Sequence, residues 1–181
     1  DFDKRGAVSN EYLEIFKKCW TEDPVSFNGE FYSFKELRCM PHPVQNPHPP
    51  IWIGGHSKPA LRRTAKYGDG WHPVGATAAS PLPPAEFERL LGELKTLTEA
   101  EGRNFEDLFI SLKAPSYDPG LTPAGHDRLP FAGEAAKVIE DIKIYEALGV
   151  RELIFDFRAP TLGGTLDRMD HFMTEVAPST N

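Results

Sequence analysis

Cysteine is scarce in this chain of 181 residues, which has only Cys19 and Cys39. Two thiols cannot staple a fold of this size, so a disulfide framework is excluded and both are expected reduced. Long hydrophobic runs are missing too. No stretch approaches the roughly 20 apolar residues that cross a bilayer, and no basic segment leads into an apolar one at the start. No membrane partner is expected, and a cytoplasmic location is. Positive charge is in the minority, with 20 Lys and Arg against 27 Asp and Glu and a net charge of −7. A nucleic-acid partner needs clustered basic residues, so that class is excluded as well.

Several chemical signatures are absent. The six histidines (His42, His48, His56, His72, His126 and His171) show neither HExxH nor Cys/His ligand spacing, so no metal site is expected. There is no GxSxG nucleophile elbow, no GxGxxG and no GxxxxGK[ST], which removes the warrant for a serine hydrolase, a Rossmann domain or a P-loop. The chain begins at Asp1 rather than a methionine, and the expectation is a piece of something longer.

Proline, by contrast, is abundant at 17 residues, five of them between Pro41 and Pro50. Proline lacks the amide donor and restricts the residue before it, so this stretch reads as an extended connector. Ahead of it, Tyr12, Leu13, Ile15, Phe16, Cys19 and Trp20 recur at helical spacing and predict an amphipathic helix. Asn28-Gly29 between aromatic runs then predicts a β-hairpin with a type I′ turn. Residues 1–50 are thus a helix, a hairpin excursion and a connector.

From residue 51 the pattern becomes rhythmic. Ile51-Trp52-Ile53 reads as a strand, followed by a helix capped at Ser57 and ending at Gly68; Gly70 to Val74 reads as a second strand. Phe87, Leu90, Leu91, Leu94 and Leu97 mark a helix, Leu108 to Leu112 a strand, and Pro115 to Pro130 a loop. A helix through Val138, Ile142 and Tyr145 follows, then a strand at Leu153 to Phe157 and a last helix with Leu166, Met169, Phe172, Met173 and Val176 inward. Four βα units over 51–181 require a parallel sheet with right-handed crossovers. Two architectures satisfy that: an open doubly wound sheet, or part of a (β/α)8 barrel, which takes about 250 residues.

Chemistry concentrates between Ile51 and Pro73. Gly54-Gly55 at a strand end lets a ligand approach the backbone, and Ser57 with the first amides of the next helix offers donors to an anion. A tight turn and a simple cap are the competing reading, and composition alone leaves both open. Trp71 reads as packing, Asp69-Gly70 as a turn, and Arg62 and Arg63 as solvated surface. His72, and Asp156 and Arg158 at the end of the last strand, occupy positions where barrel enzymes place functional groups.

The run Pro49-Pro50-Ile51-Trp52-Ile53-Gly54-Gly55-His56-Ser57, then Ala60-Leu61-Arg62-Arg63 and Gly68-Asp69-Gly70-Trp71, resembles the signature of the luciferase-like monooxygenase superfamily, nearest to its coenzyme F420-dependent branch. Phe27 to Tyr32 and Pro41 to Gln45 also match the excursion that the superfamily places before this strand. The resemblance implies a (β/α)8 TIM barrel of the bacterial luciferase-like type, with this chain its C-terminal half. It implies a phosphate of F420, or alternatively FMN, held at Gly54, Gly55, His56 and Ser57, with Pro59 and Ala60 behind; His72, Asp156 and Arg158 are candidate substrate residues by position alone, and a structural role for His72 beside Pro73 is the competing reading. The implied activity is F420-dependent hydride transfer to or from a small organic substrate. The alternatives are an FMN-dependent monooxygenase and a non-catalytic half-barrel fragment. A half-barrel exposes two strand edges, so self-association into a homo-oligomer is a further expectation.

Overall fold

The computed structural model describes residues 2–77, 80–120 and 128–180. Helix α1 (Arg5–Thr21) leads into an antiparallel hairpin, β1 (Val25–Asn28) with β2 (Ser33–Leu37). The hairpin is as expected, but its connection is not a two-residue type I′ turn. Asn28 pairs with Ser33, and the four residues between them close through the Gly29 amide donating to the Tyr32 carbonyl at 2.8 Å. The reason lies outside the hairpin. The Glu11 carboxylate of α1 reaches into the loop and accepts from the Phe31 and Tyr32 amides at 3.0 and 2.7 Å, and a side chain at position 29 would collide with it. A tertiary contact therefore sets the turn.

The same contact changes the reading of α1. Its only buried residue is Glu11, while Tyr12 and Phe16 of the predicted apolar stripe lie exposed in a stacked ladder with Trp20 and Tyr32. Cys19 and Cys39 are free thiols brought together; burial and then the Cys39 thiol push the Cys19 thiol up to about 11. Residues 38–51 form neither helix nor strand, as the prolines require.

The rhythm from residue 51 folds into β3 (Trp52–Gly54), α2 (Lys58–Tyr67), β4 (Gly70–His72), a small antiparallel pair β5 (Ala76–Thr77) and β6 (Ser80–Pro81), and α3 (Pro84–Ala100). After these come β7 (Phe109–Ser116), α4 (Ala135–Ala147), β8 (Glu152–Asp156) and α5 (Leu162–His171), the last continuing as a π-helical turn, Phe172–Val176. The small pair lies between the second predicted strand and the helix marked by Phe87 to Leu97, where the sequence pattern names no element. The middle of the predicted 115–130 loop, residues 121–127 with His126, lies outside the described residues.

The four long-range strands pair in parallel in the order β3-β4-β7-β8, which is also their chain order. An open doubly wound sheet would reverse direction at a switch point and carry helices on both faces. Neither feature occurs among the described residues. Leu61 and Ala65 of α2, Phe87, Leu90 and Leu94 of α3, and Tyr145 of α4 join Trp71, Ile110 and Leu112 of the strands in one core on one face. Winding in one sense with the helices on one side is a segment of a barrel wall, so the open-sheet alternative falls.

Alternation along each strand then sends the intervening residues to the opposite face. Trp52, Phe109 and His72 meet there: the Trp52 and Phe109 rings stack at 4.9 Å, and the His72 ring lies 6.3 Å from Trp52. Gly70 makes this possible, because a Cβ on it would sit 2.7 Å from the Trp52 ring and 2.9 Å from the Phe109 carbonyl. Helix α5 departs from expectation. Of its predicted inward residues only Val176 is buried, while Leu162, Leu166, Met169 and Met173 form an exposed stripe. Gly70→Ala is expected to destabilise the fold by about 1–3 kcal/mol through overpacking. Thermal melts check this, and a Trp52→Ala background, which removes the ring contact but leaves the Phe109 carbonyl, should restore only part of the loss.

Candidate functional site

Strand β3 is fixed at its start by Asp69, whose carboxylate accepts from the Ile51 amide at 2.8 Å and whose own amide donates to the Ile51 carbonyl at 2.7 Å. Asp69-Gly70 is therefore not a free turn: Asp69 is the clamp and Gly70 the first residue of β4. At the other end of β3 the chain turns through Gly55 at φ +89°, a conformation that glycine adopts without strain. The Gly55 amide donates to the His72 carbonyl at 3.1 Å, and its carbonyl accepts from the Trp71 indole at 2.8 Å. Both backbone groups of Gly55 are thus committed to the protein. Its amide does not turn toward a ligand as the sequence suggested, because parallel pairing runs one residue beyond the strand.

Gly54 differs. Its φ is ordinary, and a Cβ there would meet nothing closer than the His72 carbonyl at 3.8 Å, so neither strain nor packing requires glycine. What glycine does supply is open space above the strand end. The next residues turn into α2. Ser57 sits at the N-cap position, but its hydroxyl makes no capping bond; the first helical bond is from the Leu61 amide to the Ser57 carbonyl at 3.0 Å. The predicted side-chain cap is absent, which leaves the exposed Ser57 hydroxyl and the Lys58 and Ala60 amides at the positive end of the helix dipole. Pro59 has no amide and is exposed, Ala60 is buried beneath it, and His56 is half-buried.

Helix α2 is held at both ends. The Arg103 guanidinium donates to the Ala65 and Gly68 carbonyls, each at 2.7 Å, and so caps the C-terminus. Arg63, read from sequence as solvated surface, instead donates to Asn10 Oδ1 at 2.8 Å and to the Gly6 carbonyl at 3.2 Å, joining α2 to α1. Arg62 is exposed as expected. Between the two helices a cavity of about 470 Å³ is lined by Asp3, Arg5, Ser9, Ser57, Pro59 and Arg63 among others. A cavity of about 540 Å³ around Leu108, Val150 and Arg151 lies at the opposite, N-terminal end of the strands, away from these groups.

On the sheet face away from the helices, register aligns Gly54 with His72 and Ser111 with Glu152, and β4–β7 pairing puts His72 beside Ser111. The side chains bond along this row. His72 Nδ1 is 3.0 Å from Ser111 Oγ, and Ser111 Oγ donates to Glu152 Oε1 at 3.0 Å. Asp156 and Arg158 also come together, but with each other: the Arg158 Nε–H bonds both carboxylate oxygens at 2.9 and 3.0 Å, and Nη2 adds a bond at 2.5 Å. Side-chain bonds from the Arg158 guanidinium, then its backbone amide, hold the Asp156 carboxyl well below the usual carboxylate range.

The family described as luciferase-like monooxygenase matches residues 1–117. The chain belongs to that family. An uncharacterised protein of Mycobacterium tuberculosis is 34% identical over 165 residues, covering 90% of this chain and 46% of that protein. An FMNH2-dependent dimethylsulfone monooxygenase of Pseudomonas putida is 38% identical over 72 residues, 40% of this chain and 20% of that protein. Among solved structures, an F420-dependent secondary alcohol dehydrogenase superposes with a TM-score of 0.75 at 13% identity, over 98% of this chain and 62% of its own. The shared fold is that of the luciferase-like TIM barrels, and the chain spans about half the length of the curated relatives it matches.

Sequence reading missed Ser111, Glu152 and Arg103. Ser111 and Glu152 flank apolar strand residues, so only the pairing register reveals them as neighbours of His72; Arg103 follows Gly102 past the end of α3 and carries no local pattern that names α2 as its target. Because the folded-state Asp156 carboxyl lies below its unfolded value, its pairing with Arg158 stabilises the fold above about pH 4, and this contribution fades as the carboxylate protonates in stronger acid. In Arg158→Ala the Asp156 midpoint is expected to rise toward about 3.9. A ¹³C carboxyl titration reads it directly.

Proposed function

We propose that this chain forms the C-terminal four βα units, 51–181, with the excursion 1–50, of an F420-dependent oxidoreductase that transfers hydride to or from a small organic substrate. In this reading Gly54, Gly55, His56, Ser57, Pro59 and Ala60 form the phosphate end of the cofactor site. The observation that carries it is the pairing of an uncommitted Ser57 hydroxyl with a glycine at 54 that neither φ nor packing requires. Backbone approach by a ligand accounts for both.

The residues fit an anionic group in kind. The Lys58 and Ala60 amides and the Ser57 hydroxyl supply donors at a helix N-terminus, and Arg5 and Arg63 line the adjoining cavity with Asp3, two cations to one anion. Gly55, clamped by the Trp71 indole and the His72 carbonyl, keeps the turn in place, and Arg103 and Arg63 keep α2 from shifting. When bound, the deazaflavin would supply the hydride chemistry and FMN would supply oxygen activation; the protein contributes orientation and anchoring. The likeness to an F420-dependent dehydrogenase supports the first cofactor and the relative named for FMNH2 supports the second. The exposed α5 stripe and the open sheet face are surfaces that the remainder of a barrel, or a second copy in a homo-oligomer, would cover.

Titrating the full-length protein with F420 and with FMN, each followed by its own fluorescence, decides between them. F420 is expected to bind more tightly, and binding of neither overturns the proposal. Ser57→Ala is expected to weaken cofactor binding about tenfold, the loss of one hydrogen bond to a charged group. Gly54→Ala, whose Cβ meets nothing closer than the His72 carbonyl at 3.8 Å, should weaken it as well while leaving the melting temperature nearly unchanged.

A further inference from the structure

The barrel-facing surface of the sheet carries two stacked rows. The lower row is Trp52, Gly70 and Phe109, in register across β3, β4 and β7, with Gly70 leaving room for the two rings to stack. The upper row is Gly54, His72, Ser111 and Glu152. Gly54 bears no side chain beside His72, so the Trp52 ring, 37% exposed even in β3, is not roofed by its own strand. The result is a face-to-face pair of rings, with the Arg151 guanidinium over Phe109, beneath a polar row.

The hydrogen-bond bookkeeping along that row assigns a direction. A serine hydroxyl has one proton, and that of Ser111 goes to the Glu152 carboxylate. The oxygen of Ser111 can therefore only accept at its other contact, so the proton between Ser111 and His72 belongs to His72 Nδ1. A neutral ring protonated at Nδ1 carries its lone pair on Nε2. Reversing the order would require Ser111 to donate to His72 and leave the Glu152 oxygen at 3.0 Å facing another oxygen lone pair.

We propose that His72 is a specificity-determining residue, held by Ser111 and Glu152 with Nε2 as a hydrogen-bond acceptor, so that the site takes a small molecule with a hydroxyl or N–H donor. The donor meets His72 Nε2, beside the edge of the Trp52 ring. Ser111 and Glu152 are positioning residues, acting through His72. This rests on reading the open face as the substrate side of an oxidoreductase barrel. A site built to accept from a substrate donor discriminates against the analogue that lacks it, because the buried acceptor is then left unpaired.

The test uses the full-length protein and two probes of similar shape, phenol and anisole, which differ in the O–H donor. Long-range ¹H–¹⁵N spectra, with His72 assigned through His72→Asn, are expected to show the Nδ1–H tautomer at a pH where the ring is neutral. Phenol should shift the Nε2 resonance and bind at least fivefold more tightly than anisole. Ser111→Ala should mix the tautomers and bring the phenol-to-anisole ratio close to one, whereas Ser111→Thr, which keeps the hydroxyl, should preserve both. An Nε2–H tautomer in the unmodified protein overturns the proposal, as does equal binding of the two probes. Since neither readout needs bound cofactor, a protein that binds neither F420 nor FMN yet passes this test argues against the oxidoreductase reading and not against the role of His72.

Discussion

The indole of Trp71 is the contact on which the functional end of this sheet depends. Its ring is fully buried and packs on Phe87 at 5.3 Å, which ties β4 to α3, while its N–H reaches the Gly55 carbonyl at 2.8 Å. An indole in a core needs a partner for that N–H, since a buried donor without one costs about 1–3 kcal/mol. Here the partner is the one carbonyl that the left-handed turn at Gly55 lifts out of the strand ladder. Core packing and turn geometry are thus set by one side chain, and whatever the Gly54–Ser57 segment holds is positioned by the hydrophobic core behind it.

Three glycines of β3 and β4 and the turn after β3 illustrate three physical causes. Gly55 answers to backbone conformation, Gly70 to the two rings and the carbonyl that crowd it, and Gly54 to neither. In the string Gly54 pairs with Gly55, and Gly70 both follows a turn-like aspartate and opens the second predicted strand, since a glycine gives no hint of which constraint placed it. The βα rhythm was legible because helix and strand periods differ and glycines and prolines punctuate them. That rhythm could not separate a barrel wall from an open sheet; strand order and the one-sided core do, and both are properties of pairing rather than of any segment. The hairpin turn illustrates the same limit, for Asn28-Gly29 has the local chemistry of a tight turn and yields to a carboxylate 17 residues upstream.

The candidate site was partly visible for a related reason. Gly54 to Ser57 is contiguous, so its donors could be named from the string, although the commitment of the Gly55 amide to His72 could not. Asp156 and Arg158 were visible as charged residues at a strand end but not as each other's partners. His72 was visible as a residue at the right height in a barrel; its partners, 39 and 80 residues further along, emerge only when β7 and β8 fall into register.

Electrostatics makes these pairings matter for an anion. A chain of net charge −7 repels an anionic ligand at long range, but screening at physiological ionic strength confines that field to about 8 Å. What counts is then the charge left unpaired near the strand ends. Asp156 is neutralised by Arg158, Asp118 by Arg168, and the buried Asp141 by a bidentate contact with Arg128 while it also accepts from the Phe131 amide. Each of these three carboxylates is cancelled locally. Beside Gly54 the N-terminus of α2 supplies backbone donors, and the adjoining cavity carries Arg5 and Arg63 together with Asp3, so an anion there is held by local donors and not by the field of the chain as a whole.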